Sequence, residues 1–245
     1  MAARTLSLII PAYKQEKTIT KELKELDTAL SSIRIDYELI LVVDGFVDKT
    51  FQIAKKLNLK KLIVDGYSEN KGKGFAIKRG VTRAKGDIIG FIDSGMDLDP
   101  TTISLMLDIM AWNKADIVIG SKLHPDSKVN YPPIRKVLSW GYRNLVRVFF
   151  NFNVKDTQVG LKLFRKKVAK DVFPRIIVKT FAFDVEVLAV ARKLGYKKIY
   201  EAPVKFRFKQ NTITNASFWK IVFFMLLDTL AVFYRMNILN YYDRK

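Results

Sequence analysis

The chain has 245 residues, 49% of them hydrophobic, with 43 Lys and Arg against 24 Asp and Glu and no cysteine. That length supports one large domain, or one domain with an appendage, and the lack of cysteine excludes disulfides, zinc–thiolate sites and thiol nucleophiles. The charge is uneven: residues 1–120 carry 18 cations against 16 anions, and residues 121–245 carry 25 against 8. A near-neutral first half therefore precedes a basic, aromatic-rich half suited to polyanions.

In chain order, "LSLIIPAY" reads as a buried strand entered directly from the first residues, which show no signal-peptide pattern. A helix is expected over about 16–30, a strand at "YELILVVDG", a helix near 49–57 and a strand at "KKLIVDG". A helix near 73–84, a strand at "GDIIGFID", a helix near 101–112 and a strand at "ADIVIGS" follow. Short apolar strands alternating with helices predict βαβ units and a mostly parallel sheet, with ligands beyond the carboxyl ends of the strands.

Beyond residue 121, "PPIRKVLSWGYRNLVRVFF" sets apolar and basic residues at helical spacing, giving an amphipathic helix over about 133–150. The chain then runs through "DTQVGLKLFRK", a helical "FAFDVEVLAVARKLG" and strands around "KKIYEAPVKFRF". The tail from Phe218 has an apolar stretch, Ile221–Tyr234, that is too short to span a bilayer and is interrupted by Asp228. Basic flanks with aromatic faces predict interfacial helices on an anionic membrane surface. The expected division is a domain over 1–210 and membrane-associated helices over 211–245.

The motifs "PAYKQEKTI", "VVDGFVDKT", "NKGKGFAIKRG", "FIDSGMDLDP", "IGSK", "DTQVGLKLF" and "FDVEVL" occur in one order. Together they resemble the family 2 glycosyltransferases, above all the dolichyl-phosphate glucose and mannose synthases. The resemblance covers about residues 6–201. It implies a GT-A fold, a nucleotide-diphosphate sugar donor, Mg²⁺ or Mn²⁺, and a polyprenyl-phosphate acceptor at the cytoplasmic face of a membrane.

Carried over residue by residue, the resemblance assigns Pro11, Ala12, Tyr13, Glu16, Asp44, Lys73, Asp93 and Lys209 to the donor. Asp48 and Thr50 match the end of the family's "DDGS-x-D-x-T" pattern, in which Val43 and Phe46 replace an Asp and a Ser. Asp93 takes the place of the first metal-binding acid and Gly95 that of the second, so the expected ligands are Asp93 and Asp97, and Gly95→Asp would restore the missing acid. Asp99 before Pro100 reads as a helix N-cap. Lys122, Arg135, Ser139, Asp156 and Gln158 fall at acceptor positions, and Asp93 and Asp184 at catalytic ones.

A phosphate acceptor is already anionic near neutral pH, with a second pKa of about 6. Asp184 is then expected to orient a substrate rather than remove a proton. Three readings stand beside this one: a sugar transferase with a hydroxyl acceptor and Asp184 as base, a non-catalytic membrane-binding relative, and a nucleic-acid binder. No recognisable nucleic-acid module supports the last, and no nucleic-acid partner is expected. A homo-oligomer or a membrane-protein partner stays open.

Overall fold

The computed structural model describes residues 5–33, 35–95, 98–127, 133–180, 182–205 and 215–243, without the side chains of 133–138 and 215–221. Seven strands form one sheet: β1 (Thr5–Ala12), β2 (Asp36–Asp44), β3 (Leu62–Tyr67), β4 (Ile88–Ile92), β5 (Ile117–Ser121), β6 (Leu161–Arg165) and β7 (Ile199–Pro203). Their spatial order is β3-β2-β1-β4-β6-β5-β7. All neighbours run parallel except β6, which is antiparallel to both β4 and β5. The alternation of strand and helix required most of this. The antiparallel strand at "LKLFR" was not foreseen.

The helices are α1 (Ile19–Ser31), α2 (Thr50–Lys55), α3 (Lys73–Arg83), α4 (Thr102–Trp112), α5 (Pro133–Phe150), α6 (Lys166–Val172), α7 (Phe183–Lys193) and α8 (Asn215–Asn237). Alternate strand residues feed opposite layers, as the two-residue period of a strand dictates. Leu6, Leu8, Leu39 and Leu41 pack with Leu23 of α1 and Met106 of α4. Ile9, Ile40 and Val42 pack on the other face with Ile77 of α3, Val146 of α5, Leu188 of α7 and Val232 of α8. The sheet is therefore covered on both sides, which is why its strands read as continuous apolar runs.

The C-terminal helix α8 buries its inner face against this core through Val232 and Thr229, and the turn after it buries Tyr242. Its outer face exposes Phe223, Leu227, Leu230 and Tyr234, at helical spacing. No described helix is long and apolar enough to cross a membrane.

At the β3 edge of the sheet, α3 is locked to β3 by charge. Asp65 accepts from Nε and Nη2 of Arg79 at 2.9 Å each and from Arg83 Nε at 3.1 Å. The Arg79 guanidinium, helped by Arg83, holds the Asp65 carboxyl down at about 2. A depressed folded-state pKa contributes stability above the unfolded value, near 3.9, and loses it as pH falls toward 2. Asp65→Asn is therefore expected to lower the urea midpoint at pH 7, and the gap to the parent protein should close between about pH 4 and pH 2. Urea titrations across that range check it. A gap that persists into acid would mean the pair is not its source.

Candidate active site

The strand order reverses between β1 and β4, and in open α/β sheets a ligand crevice lies outside the carboxyl ends of the strands at such a point. Two cavities open there. One, of about 310 Å³, is lined by Pro11, Ala12 and Tyr13 at the end of β1, by Gln15 and Ser94, and by Asp44 at the end of β2. The other, of about 350 Å³, is lined by Lys122, Gln158, Thr180, Asp184 and Met225. Lys73 and Asp93 line both. They form the partition between the cavities.

That partition belongs to a line of alternating charge. Lys73 Nζ lies 2.7 Å from Asp93 Oδ1 and 3.2 Å from Asp184 Oδ2. On the far side of Asp184, Oδ1 accepts from Lys162 Nζ at 2.5 Å, and that ammonium also donates to the Val159 carbonyl at 2.7 Å. Both ammonium nitrogens lie 5.4 Å from the centroid of Phe91, a favourable cation–π distance. Lys162 is completely buried on β6, where Phe91 and Ile119 flank it in register.

Burial would push the Asp184 carboxyl upward, but Lys162 and Lys73 outweigh it and hold the pKa below the usual carboxylate range. Burial also opposes the Lys73 ammonium, and there Asp184 and Asp93 prevail, raising its pKa. Burial pulls the Lys162 ammonium down. The first turn of α7, whose unpaired amides favour negative charge, further suits an ionised Asp184.

The glycine-rich segment before α3 is organised by Asp44. Its carboxylate is nearly buried and accepts from the amides of Lys71 (2.7 Å) and Gly72 (2.9 Å). Asp44 thus both lines the first cavity and fixes the loop that carries Lys73. Gly160 of "DTQVG" is explained by packing: a Cβ there would lie 1.8 Å from Asp93 Oδ2. Its carbonyl also accepts from the Asp93 amide at 2.7 Å. Asp93 is seated directly on that glycine.

Other expected residues fall elsewhere. Glu16 is not among the residues lining the cavities; its amide donates to Asp48 and its carboxylate accepts from the Lys49 amide, so the pair braces a loop. Gln15 takes its place on the cavity wall. Asp156 is a loop organiser, accepting from the amides of Lys122 and Gln158. Ser139 is exposed on α5 and lines neither cavity. Asp97, Lys209 and the side chain of Arg135 lie outside the described residues. Asp99 makes an Asx turn to Thr101 just before α4 rather than capping the helix itself.

Residues not foreseen include Lys162 and two groups brought by α8 to the neighbourhood of the second cavity. Met225 approaches the Gln158 amide nitrogen at 3.0 Å, and Asp228 accepts from the Thr180 hydroxyl. Lys162 had a signal: a lysine at an inward position of an otherwise apolar strand must find a partner.

Asp93 Oδ1 is buried and receives no well-directed hydrogen bond, although Lys73 lies close. An oxygen in that state fits a coordinated cation. Among the described residues no cluster of three acidic or histidine side chains surrounds it. Magnesium commonly takes only one or two protein carboxylates, with ligand oxygens and water completing its shell, so Asp93 fits as one such carboxylate. Gly95 has φ +117°, a conformation that side chains rarely adopt, and its amide donates to Glu22 at 3.1 Å.

Comparison with known proteins agrees with this architecture. The family model described as glycosyl transferase family 2 matches residues 7–173. A dolichyl-phosphate beta-glucosyltransferase of Trichomonas vaginalis is 32% identical over 98% of this chain and 77% of its own length. One from Drosophila melanogaster is 33% identical over 77% of this chain, which spans 63% of that relative. Among solved structures, glucosyl-3-phosphoglycerate synthase from Mycobacterium tuberculosis with Mn²⁺, uridine diphosphate and phosphoglyceric acid superposes with a TM-score of 0.72. It is 19% identical, over 95% of this chain and 79% of its own, and so supports the fold alone. With a family model covering most of the sheet and relatives aligned along nearly the whole sequence, the chain is a GT-A enzyme of glycosyl transferase family 2.

Proposed function

We propose that this glycosyltransferase moves glucose from UDP-glucose to a polyprenyl phosphate, with inversion, at a membrane surface. The observation that carries the proposal is the state of Asp184. It is the acid that reaches the acceptor-side cavity beside Asp93, and two lysines hold it ionised and weakly basic. A hydroxyl acceptor needs a base to take its proton, whereas a phosphate monoester arrives already anionic. The names of the relatives point the same way.

The donor would occupy the cavity beside Tyr13 and Asp44, with its diphosphate toward Lys73 and Asp93. The acceptor phosphate would enter the second cavity, facing Lys122 and Lys73. An acceptor oxygen attacks the anomeric carbon as the bond to the nucleotide's β-phosphate oxygen breaks on the opposite face. Lys73, kept protonated between two carboxylates, offsets charge on both phosphates. Asp93 would hold Mg²⁺ or Mn²⁺, whose part is to neutralise the leaving diphosphate.

Membrane contact would be made by the outer face of α8 and by α5, where exposed Trp140 and Val148 accompany Arg143 and Arg147. Apolar insertion and attraction to anionic lipids act together in such interfacial helices.

Rates, metal dependence and liposome binding test this reading. With saturating donor, kcat/KM for polyprenyl phosphate should rise through about pH 6, as the acceptor loses its second proton, and then stay level. Turnover of a saccharide or alcohol acceptor at comparable rate would instead favour a hydroxyl mechanism. Asp93→Ala should remove the Mn²⁺ dependence of UDP binding in calorimetric titration, and Gly95→Asp should lower the melting temperature without strengthening it, because φ +117° is strained for Asp. A Gly95→Asp protein that binds Mn²⁺ more tightly would refute that backbone argument. Finally, binding to anionic liposomes should weaken with salt. Replacing Phe223, Leu227 and Leu230 by Ser should remove a salt-insensitive part, weakening flotation by about tenfold or more.

A further inference from the structure

Glu186 is a buried acid that the transfer chemistry leaves unused. It follows Asp184 by two residues on α7, so the two carboxylates leave the helix on nearly opposite sides. Asp184 reaches the cavity; Glu186, with no exposed surface, turns away from it. Its Oε2 accepts from the amides of Ile177 (3.1 Å) and Val178 (2.8 Å). Its Oε1 accepts from the Tyr242 hydroxyl at 2.5 Å and lies 3.6 Å from Arg235 Nη1. One carboxylate thus joins the 177–178 backbone to α8 and the turn that follows it.

The same backbone presses on the glycine-rich loop. The Lys179 carbonyl accepts from the Gly74 amide at 3.2 Å. A Cβ at Gly72, where φ is +90°, would lie 2.6 Å from that carbonyl, and one at Gly74 would lie 2.4 Å from the Val178 carbonyl. The loop so confined carries Lys73 and supplies the amides that hold Asp44. A path of direct contacts therefore runs from the C-terminal helix through Glu186 to the donor-side cavity.

We propose that Glu186 is a positioning residue that anchors the wall of the glycine-rich loop to the C-terminal helix, so that the seating of this helix sets the geometry of the donor cavity. The proposal rests on the donor assignment made above. Helix α8 then acts on both its faces. Its outer face would meet the membrane, and its inner face holds the nucleotide-binding loop in place.

The test is Tyr242→Phe, which deletes one hydroxyl and leaves the ring. Calorimetric titration with UDP and with GDP, each with Mn²⁺, should show binding of the preferred nucleotide weakened by about three- to tenfold. Tyr142→Phe is the matched control. Its buried hydroxyl bonds to Thr229 of the same helix at 2.8 Å but ties it to α5 instead of to the loop. That variant should bind nucleotide as the parent does. Glu186→Gln keeps an oxygen for the two amides and should retain more affinity than Glu186→Ala. Unchanged affinity in Tyr242→Phe, or equal losses in both tyrosine variants, would overturn the inference. A parent protein that binds neither nucleotide would overturn the donor assignment and the inference with it.

Discussion

Asp184 between two ammonium groups is the interaction on which the site and much of the fold depend. Lys162 has no exposed surface, and an unpaired ammonium there would cost several kcal/mol. The carboxylate that satisfies it also fixes Lys73, which in turn fixes Asp93. Four elements, α3, β4, β6 and α7, are thereby brought to one point, and removing Asp184 would leave Lys162 a buried ammonium with no carboxylate beside it. A network of this kind is a poor way to gain stability, since apolar side chains of the same volume often do better. Its place in a cavity wall makes sense as electrostatic preorganisation for substrates that bring negative charge.

Much of the architecture was legible because strands buried on both faces and helices with one apolar face leave different periods in the sequence. The order of five strands, the amphipathic helix at 133–150 and the positions of Asp44, Lys73, Asp93 and Asp184 follow from that alternation and from the motif resemblance. What stayed hidden was antiparallel β6. "GLKLF" alternates too briefly to separate strand from loop, and its lysine argues against burial unless its partner is known. That partner lies 22 residues later on another element. The same non-locality hid the tail: its hydropathy and charge predict an interfacial helix, but nothing in its own composition shows that Tyr242 bonds to Glu186.

The departures from the family pattern have a physical account in two of three cases. Val43 stands where an acid is expected and is buried in the core with Val118 and Leu161 on one side of the sheet, a position where a carboxylate would need a partner. Phe46, in place of Ser, packs on Phe51 at 4.6 Å between ring centroids and lies against Gly66, whose missing side chain leaves the room. Val43 and Phe46 thus both lie against Gly66, an apolar contact at the foot of the loop. Asp44 then remains as the acid at the end of β2 that both faces the cavity and accepts backbone amides.

The third departure, Gly95, changes the charge balance where the reaction would occur. With glycine at that position, Asp93 and Asp184 carry two negative charges against Lys73 and Lys162 within this line of contacts among the described residues. A locally neutral group offers less repulsion to an incoming diphosphate and phosphate than an acid-rich one would, because at a separation of about 4 Å each unscreened charge pair is worth roughly 4 kcal/mol at an effective dielectric of 20. Lys73 gains the most from this arrangement. It stays protonated without a substrate, lines both cavities, and would be free to turn toward the phosphate oxygens of the proposed substrates while Lys162 keeps Asp184 paired. The fully buried lysine thus leaves the partly buried one free to act.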